Sequence, residues 1–231
     1  MAGYHSIRIP IHGFVELDDW EWDIINHPVF QRLRRIRQLA FSEHIYPGST
    51  HTRFEHSLGV LYIADRLFET LRSKHKSHLQ HEFKFNDAMF ARARRLVRLA
   101  ALLHDVGHAP MSHSGEDLMP MGKDGKRLDH EDYTYWLIKE EMRDVIDEHE
   151  ANRDELRITG EEVADFYLGK PTAVGKHLLW RELVSGQLDA DRMDYLLRDS
   201  HHCGVSYGTF DLDRIIDTIT FVEVAGEDSA R

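Results

Sequence analysis

The sequence is poor in cysteine and proline and has no long apolar run. Its one cysteine, Cys203, excludes an internal disulfide and is typical of proteins in reducing compartments. The N-terminus MAGYHSIRIPIHGF lacks the apolar stretch of a signal peptide, and no segment approaches the length of a membrane span. These absences predict a cytoplasmic protein with no membrane partner.

Positive charge is also scarce. The chain has 29 lysines and arginines against 40 aspartates and glutamates, so its formal net charge is −11. A protein of this charge repels nucleic acids and anionic membranes, and long nucleic acids are therefore not expected as partners. A polyanionic substrate would have to be met by a local basic cluster or by a metal ion. The 42% of hydrophobic residues is typical of a folded globular protein.

Helical periodicity dominates the chain. In VFQRLRRIRQLA the apolar Phe30, Leu33, Ile36 and Leu39 recur every third residue, which predicts an amphipathic helix with a basic opposite face. Further helices are predicted over 54–71, 91–103, 131–148, 175–185 and 189–200. The remaining segments are an isolated strand or extended arm over 6–17, a β-leaning segment over 218–224 and a flexible loop over 119–129. The predicted fold class is mostly α, with a short N-terminal extended segment and minor β, in one domain over 1–231.

The stretch LLHDVGHAPMSH places His104 and Asp105 directly after an apolar helix. A carboxylate at the edge of a core needs a cationic or hydrogen-bonding partner, because a lone buried carboxylate is unfavourable. A divalent metal ion would supply that charge. His56 and Asp191 lie on two other predicted helices, and together the four side chains form a mixed nitrogen and oxygen set suited to Mn, Fe, Zn, Co or Ni. The alternative is that His104 only caps the helix and Asp105 only begins a turn.

Acid–base and phosphate-binding candidates lie near this pair. His113 and Glu116 are three residues apart, so a helical turn would let the glutamate orient the imidazole, and His130 could bring another imidazole to the site. Arg53 and Arg192 lie close in sequence to the proposed metal ligands and could grip phosphate oxygens. Either arginine could instead be a surface salt-bridge partner.

Three residues spaced by four share one face of the predicted helix 189–200: Asp191, Tyr195 and Asp199. If Asp191 faces a metal ion, the other two face the same cavity. In the alternative, both aspartates are solvated surface residues and the neighbouring apolar side chains form the core.

Taken together, HTRFEHSLGV, LLHDVGHAPMSH, DHED and LDADRMDYLLRDSHHCGV resemble the HD-domain phosphohydrolases, and most of all their deoxynucleoside triphosphate triphosphohydrolase branch. The resemblance covers nearly the whole chain and implies an HD-domain helical bundle. It also implies the family reaction, in which a deoxynucleoside triphosphate (dNTP) is hydrolysed to a deoxynucleoside and inorganic triphosphate.

The resemblance implies a role for each matching position. One divalent ion (Mn, Fe, Zn, Co, Ni or Mg) would be held by His56, His104, Asp105 and Asp191. The α-phosphate would be surrounded by His108, His113 and His130, with His113 and Glu116 as the catalytic dyad. Substrate contacts would come from Arg53 and Arg192 to phosphates, Tyr195 and Asp199 to the sugar 3′-hydroxyl, and Gln38 and Leu39 to the deoxyribose.

Family members with this activity continue with further helices beyond the point where this chain stops. We therefore expect either a fragment of a longer protein or a compact relative with a different substrate. Two alternatives stay open: a phosphohydrolase acting on nucleoside monophosphates, cyclic nucleotides or single-stranded nucleic acid, and a catalytically silent nucleotide-sensing module. The resemblance further implies a nucleotide activator and a homo-oligomer.

Overall fold

The structure is a computed structural model that describes residues 3–123, 125–153 and 156–222. It is mostly helical, as the sequence predicts. The α-helices are α1 (Asp19–Asn26), α2 (Pro28–Gln31), α3 (Arg53–Glu82), α4 (Asp87–Leu103), α5 (His130–Trp136), α6 (Arg143–Asp147), α7 (Glu150–Arg153), α8 (Gly160–Leu168), α9 (Pro171–Val174), α10 (Ala190–Cys203) and α11 (Leu212–Thr218). The 3-10 helices are Arg32–Arg35, Ser42–His44, Ser112–Leu118 and Gly175–Leu183, and Leu137–Glu141 is a π-helix. The strands are β1 (His5–Ile9) and β2 (Gly13–Leu17).

The long helix α3 organises the core by packing against both α4 and α10. Its first turn is stabilised by a capping box in which the Thr52 and Glu55 side chains bond to each other's backbone. Leu58, Leu61 and Leu67 of α3 are fully buried, and each contributes about 1.5–3 kcal/mol by leaving water. This packing fixes the relative positions of the start of α3, the end of α4 and the start of α10.

The N-terminal segment is a β-hairpin, so the prediction of an isolated strand or arm over 6–17 is wrong. β1 and β2 pair antiparallel, from His5 opposite Leu17 to Ile9 opposite Gly13. Pro10 ends β1, because proline has no backbone N–H for a ladder. Ile11 and Gly13 both have a φ of 78°, which turns the chain back on itself.

The predicted helix over 29–40 ends early. The helix α2 continues only as the 3-10 turn Arg32–Arg35, and Ile36 is extended. Backbone bonds from Arg53 to Ile36 and from Gln38 to His51 hold this extended segment beside the chain that leads into α3. These long-range partners replace the helical hydrogen bonds and place Gln38 beside the start of α3.

Other segments also depart from simple periodicity. Residues 175–183 form a 3-10 helix rather than an α-helix, and 131–148 is divided into α5, the π-helix and α6. The segment 218–224 was predicted to favour β structure, but α11 reaches Thr218 and residues 219–222 form no strand; 223–224 lie outside the described residues. Its apolar character is explained by packing, since the Phe221 ring lies 5.7 Å from that of Trp180.

The predicted loop 119–129 contains no helix in its described part and is closed by a single bridge between Met121 and Arg127. Across the described part of the chain, no helix combines the length and apolarity that crossing a membrane requires.

Candidate active site

The ends of three helices bring four potential metal ligands together. His56 lies in the first turn of α3, His104 and Asp105 follow α4, and Asp191 lies in the first turn of α10. One ligand atom from each of His56, His104 and Asp105 lies within 4.8 Å of the others. Nε2 of His56 is 3.3 Å from Nε2 of His104 and 3.0 Å from Oδ1 of Asp191. The proposed ligands from distant parts of the sequence therefore surround one point.

This donor set fits a divalent ion. Bonds of about 2.0–2.2 Å place neighbouring ligand atoms about 3–3.5 Å apart around an ion, close to the separations seen here. The second nitrogen of each ring has another partner: Nδ1 of His56 lies 2.7 Å from Asp194, and Nδ1 of His104 lies 2.8 Å from the carbonyl oxygen of Ala101. Because Nδ1 of each ring is engaged, Nε2 of each ring faces the cluster and can bind a cation through its lone pair once it carries no proton.

His104 is at the same time the C-cap residue of α4. The simpler interpretation of His104 as a helix cap thus describes its backbone. Its side chain belongs to the group of four proposed metal ligands, His56, His104, Asp105 and Asp191, which we call the ligand cluster. A buried residue can serve both purposes, because its backbone ends the helix and its ring extends from that end.

Arg53 supplies part of the charge that Asp105 requires. Its Nη1 lies 2.5 Å from Oδ2 of Asp105, and both side chains are buried. Burial alone would raise the pKa of Asp105, but Arg53, together with His104 and His108, holds that pKa well below its ordinary value. The Arg53 guanidinium is thus a cationic partner of the kind that the sequence required for Asp105, beside the position proposed for the ion.

His56 is fully buried between two carboxylates. Burial disfavours the charged imidazolium, but hydrogen bonds to Asp191 and Asp194 outweigh that effect and raise the pKa of His56 to about 10. An ion binding at Nε2 must displace a proton held at this pKa, so ion binding is coupled to pH.

A strained turn leads from Asp105 to His113. Met111 and Ser112 have left-handed φ values of 72° and 56°, and such conformations cost non-glycine residues about 1–3 kcal/mol each. The turn buries Ser112, whose Oγ accepts a hydrogen bond from Arg53. The next residue, His113, is thereby placed beside the ligand cluster.

A second group of ionisable side chains adjoins the ligands: His108, His113, Glu116 and His130. Oε1 of Glu116 lies 3.0 Å from Nδ1 of His113 and 2.6 Å from Nδ1 of His130, so one oxygen serves both rings. The rings of His108 and His130 are stacked at 3.9 Å. Burial lowers the pKa of His108 to about 4, against the opposing effect of Asp105, so this ring is neutral at pH 7.

His130 reaches the site because α5 approaches the turn after α4 very closely. A Cβ on Gly107 would lie 2.1 Å from the carbonyl oxygen of His130 and 2.3 Å from the backbone nitrogen of Thr134. Only glycine permits this approach, which is secured by the bond from the Gly107 N–H to Oγ1 of Thr134. Gly107 of the HDVGH sequence therefore positions His130.

Most of the sequence-predicted residues line one cavity of about 180 Å³. Its walls include Gln38, Arg53, His104, Asp105, His108, His113, His130, Asp191 and Tyr195. Glu116 stands behind the two histidines that it contacts, and His56 is buried behind the other ligands. Leu39, Arg192 and Asp199 are outside the walls of this cavity as the structure describes it.

Of the residues outside the walls, Asp199 contacts another side chain and Arg192 is partly exposed to solvent. Asp199 is buried, and its Oδ1 lies 2.8 Å from Nε2 of His51, whose ring stacks on that of His202. Arg192 is half exposed and lies 3.8 Å from Asp189.

A larger cavity of about 560 Å³ lies between β2, α3 and α4. Its arginines are already paired with carboxylates, among them Arg94 with Asp65 and Arg98 with Glu21. The smaller cavity is the better candidate site, because it is the one bordered by the ligand cluster.

Two further side chains at the site, Tyr167 and Asp194, were not among the residues predicted from the sequence. Tyr167 lines the cavity, and burial together with the negative charges of Glu131, Asp105 and Asp191 raises its pKa well above the ordinary value. Asp194 contacts His56, and its position three residues after Asp191 on a predicted helix was an available signal. No comparable signal marks Tyr167, because it comes from α8, whose approach to the site is a property of the tertiary fold.

The family model described as HD domain matches residues 53–199, which contain all four proposed ligands. The chain is also similar to a solved structure, that of a hypothetical protein from Aquifex aeolicus. The similarity has a TM-score of 0.74 with 36% identity and covers 96% of this chain and 52% of the other.

Several curated proteins are similar over nearly the whole chain. The uncharacterized protein YwfO of Bacillus subtilis is 38% identical over 90% of this chain and 42% of its own length. Deoxynucleoside triphosphate triphosphohydrolase SAMHD1 of Homo sapiens is 33% identical over 96% of this chain and 37% of its own length. The chain spans about two fifths of the length of these relatives.

Proposed function

The chain belongs to the HD domain family, and we propose that it hydrolyses a dNTP to a deoxynucleoside and inorganic triphosphate. Membership indicates a metal-dependent phosphohydrolase, and the proposal specifies its substrate. The observation that carries it is the position of the ligand cluster, the histidine–glutamate group and Tyr195 around one cavity. Similarity to proteins named as dNTP triphosphohydrolases supports this choice.

His56, His104, Asp105 and Asp191 would hold the divalent ion. When bound, the ion supplies positive charge beside the phosphoryl oxygens, where negative charge grows during attack on phosphorus. Asp194 and the carbonyl oxygen of Ala101 keep the two imidazoles oriented toward this position.

We assign proton donation to His113. Water adds to the α-phosphorus while the bond to the 5′-oxygen breaks, and that oxygen takes a proton from the imidazolium of His113. Glu116 accepts from Nδ1, which orients the ring and leaves Nε2 to carry the transferred proton. The proton of the new phosphate hydroxyl passes to solvent. His113 suits this role better than His130 because its side chain is 67% exposed against 19%, so water can reprotonate it directly.

The phosphates are proposed to meet two arginines. Both Nη atoms of Arg53 are engaged by Asp105 and Ser112, but Nε is buried without a hydrogen-bond partner among the described residues. This atom is the donor we assign to the α-phosphate. Arg192 is exposed enough to turn toward the outer phosphates.

The sugar is proposed to lie against Gln38 and Tyr195. Oε1 of Gln38 is buried and lacks a partner among the described residues. Leu39 and Asp199 are outside the walls of the cavity and are proposed as further contacts to the sugar. Small-molecule pockets usually exceed about 300 Å³, so a cavity of about 180 Å³ holds less than a whole nucleotide. The base would then lie outside these walls, which favours weak discrimination among bases by the described residues.

A product assay tests the proposal. The protein loaded with Mn²⁺ is incubated with each dNTP and each ribonucleoside triphosphate, and products are separated by ion-exchange chromatography. We expect deoxynucleoside and triphosphate in equal amounts from dNTPs, slower reaction of ribonucleotides, and no reaction by Asp105→Ala. Release of pyrophosphate or single phosphates would overturn the proposal.

The same assay separates the alternatives. Cleavage of nucleoside monophosphates, cyclic nucleotides or a labelled oligonucleotide without dNTP turnover favours a different phosphohydrolase. Binding of dNTPs without any product favours a sensing module. A nucleotide activator and a homo-oligomer are proposed together with the main activity. The activator is tested by adding each ribonucleotide and measuring the rate of dNTP hydrolysis. The oligomer is tested by measuring the molecular mass by light scattering under the same conditions.

A further inference from the structure

Asp194 makes an unusual number of contacts for one buried carboxylate. It lies one turn beyond Asp191 on α10 and is fully buried. Oδ2 lies 2.7 Å from Nδ1 of His56, and Oδ1 lies 2.7 Å from Nε2 of His12. Arg198 donates to both oxygens, at 2.8 Å each. One side chain thus connects a proposed metal ligand, the N-terminal hairpin and a buried guanidinium.

The direction of these hydrogen bonds follows from charge. An ionised carboxylate only accepts, so His56 must donate from Nδ1 and His12 must donate from Nε2. Arg198, itself fully buried, provides the positive charge that keeps Asp194 ionised. When His56 carries a single proton, the nitrogen that faces the ligand cluster is consequently the one with the free lone pair.

The surrounding fold is shaped to hold this arrangement. A Cβ on Gly59 would lie 1.8 Å from Oδ1 of Asp194, so α3 can approach the carboxylate only with glycine at that position. His12 is buried at the end of the hairpin turn, with its ring 5.1 Å from that of Tyr62. The left-handed Ile11 before it and Gly13 after it fix the direction of this turn.

We propose that Asp194 and His12 are positioning residues for the metal centre: Asp194 sets the tautomer and orientation of His56, and His12 holds Asp194 in place from the N-terminal hairpin. The hairpin is thereby part of the metal site although it supplies no ligand. The proposal concerns the ion site of the HD domain and stands whichever phosphate ester is the substrate, so failure of the dNTP assay would not affect it.

The test measures Co²⁺ binding to the full chain, by competition with a chelator and by the visible spectrum of the bound ion. His12→Phe keeps a ring beside Tyr62 but loses the hydrogen bond, whereas His12→Gln places an amide N–H near the position of Nε2. We expect His12→Phe to weaken Co²⁺ binding about 10- to 100-fold and shift the spectrum, as removal of a residue supporting a ligand usually does. His12→Gln should recover affinity to within a few fold of the original protein.

A matched control is His149→Phe, because His149 is also a packed ring, stacked on Trp20 at 5.8 Å. It should leave Co²⁺ affinity unchanged. Melting temperatures of the metal-free variants show whether His12→Phe acts only through stability. Unchanged affinity in His12→Phe, or equal weakening in His12→Gln, would overturn the proposal.

A measurement on the unmodified protein covers the case in which His12→Phe fails to fold. Long-range ¹H–¹⁵N spectra of the Zn²⁺-loaded chain distinguish the two imidazole tautomers. We expect the proton of His56 on Nδ1 and that of His12 on Nε2. A proton on Nε2 of His56, or a His12 ring without a proton on Nε2, contradicts the proposal.

Discussion

Glu116 and His130 form the shorter of two hydrogen bonds to one carboxylate oxygen, with 2.6 Å between Oε1 of Glu116 and Nδ1 of His130. The second bond, to His113, is 3.0 Å long. The expected dyad of His113 and Glu116 is therefore a trio in this structure. Burial would raise the pKa of Glu116, but hydrogen bonds from His130 and His113 lower it, so the carboxylate is ionised at neutral pH.

Replacing this carboxylate by an amide tests its role. We expect Glu116→Gln to lower kcat about 100-fold, because the amide can still accept a hydrogen bond but no longer stabilises an imidazolium. Steady-state kinetics on the Mn²⁺-loaded protein measures the change, with Asp117→Asn as a neighbouring control that should retain activity. A kcat within threefold of the original would remove Glu116 from the proposed mechanism.

Ion binding should release a proton from His56. With a pKa of about 10, this imidazole is charged at pH 7.5 in the absence of an ion, and the ion must displace its proton from Nε2. Since the proton competes with the ion, apparent affinity should increase as pH rises toward 10. Calorimetric titration with Mn²⁺ in two buffers of different ionisation enthalpy should show about one proton released by this group. Equal observed heats in the two buffers, before any correction for buffer ionisation, would contradict this.

Loss of Arg53 should destabilise the protein strongly. Arg53→Ala leaves the buried Asp105 without its guanidinium, and removing one partner of a buried ion pair costs about 3–5 kcal/mol of unfolding free energy. A bound divalent ion supplies replacement charge, so the loss should be smaller with Mn²⁺ than with chelator. Urea unfolding under both conditions measures the difference. The control Arg192→Ala, at an exposed arginine, should change stability by less than about 0.5 kcal/mol.

The hydroxyl of Tyr195 should matter for the substrate rather than for folding. Tyr195 lines the cavity on the same face of α10 as Asp191, and Tyr195→Phe removes one hydrogen-bonding group without changing the ring. We expect kcat/KM for dNTPs to fall about tenfold, equivalent to the roughly 1.4 kcal/mol of one hydrogen bond. Thermal unfolding without substrate should be unchanged. Full activity of Tyr195→Phe would place the sugar elsewhere.

The fold class and the choice of candidate residues could be argued from the sequence because both depend on local order. Apolar residues every three or four positions predicted the long helices α3, α4 and α10. His104 and Asp105 are neighbours in the chain, so any structure keeps them together. The early end of the helix after Gln31 was not predictable in this way, because residues 51–53 supply its competing backbone partners.

The order of residues along the chain settles which side chains are available for metal and proton chemistry and which helices carry them. Their partners follow from the packing of distant segments: Arg53 for Asp105, Asp194 and His12 behind His56, and one oxygen of Glu116 for two histidines. Helix periodicity can be predicted because it depends on neighbours within a few residues. Hydrogen bonds between distant segments depend instead on how α3, α4, α5 and α10 pack, and close approaches such as that at Gly107 set this packing.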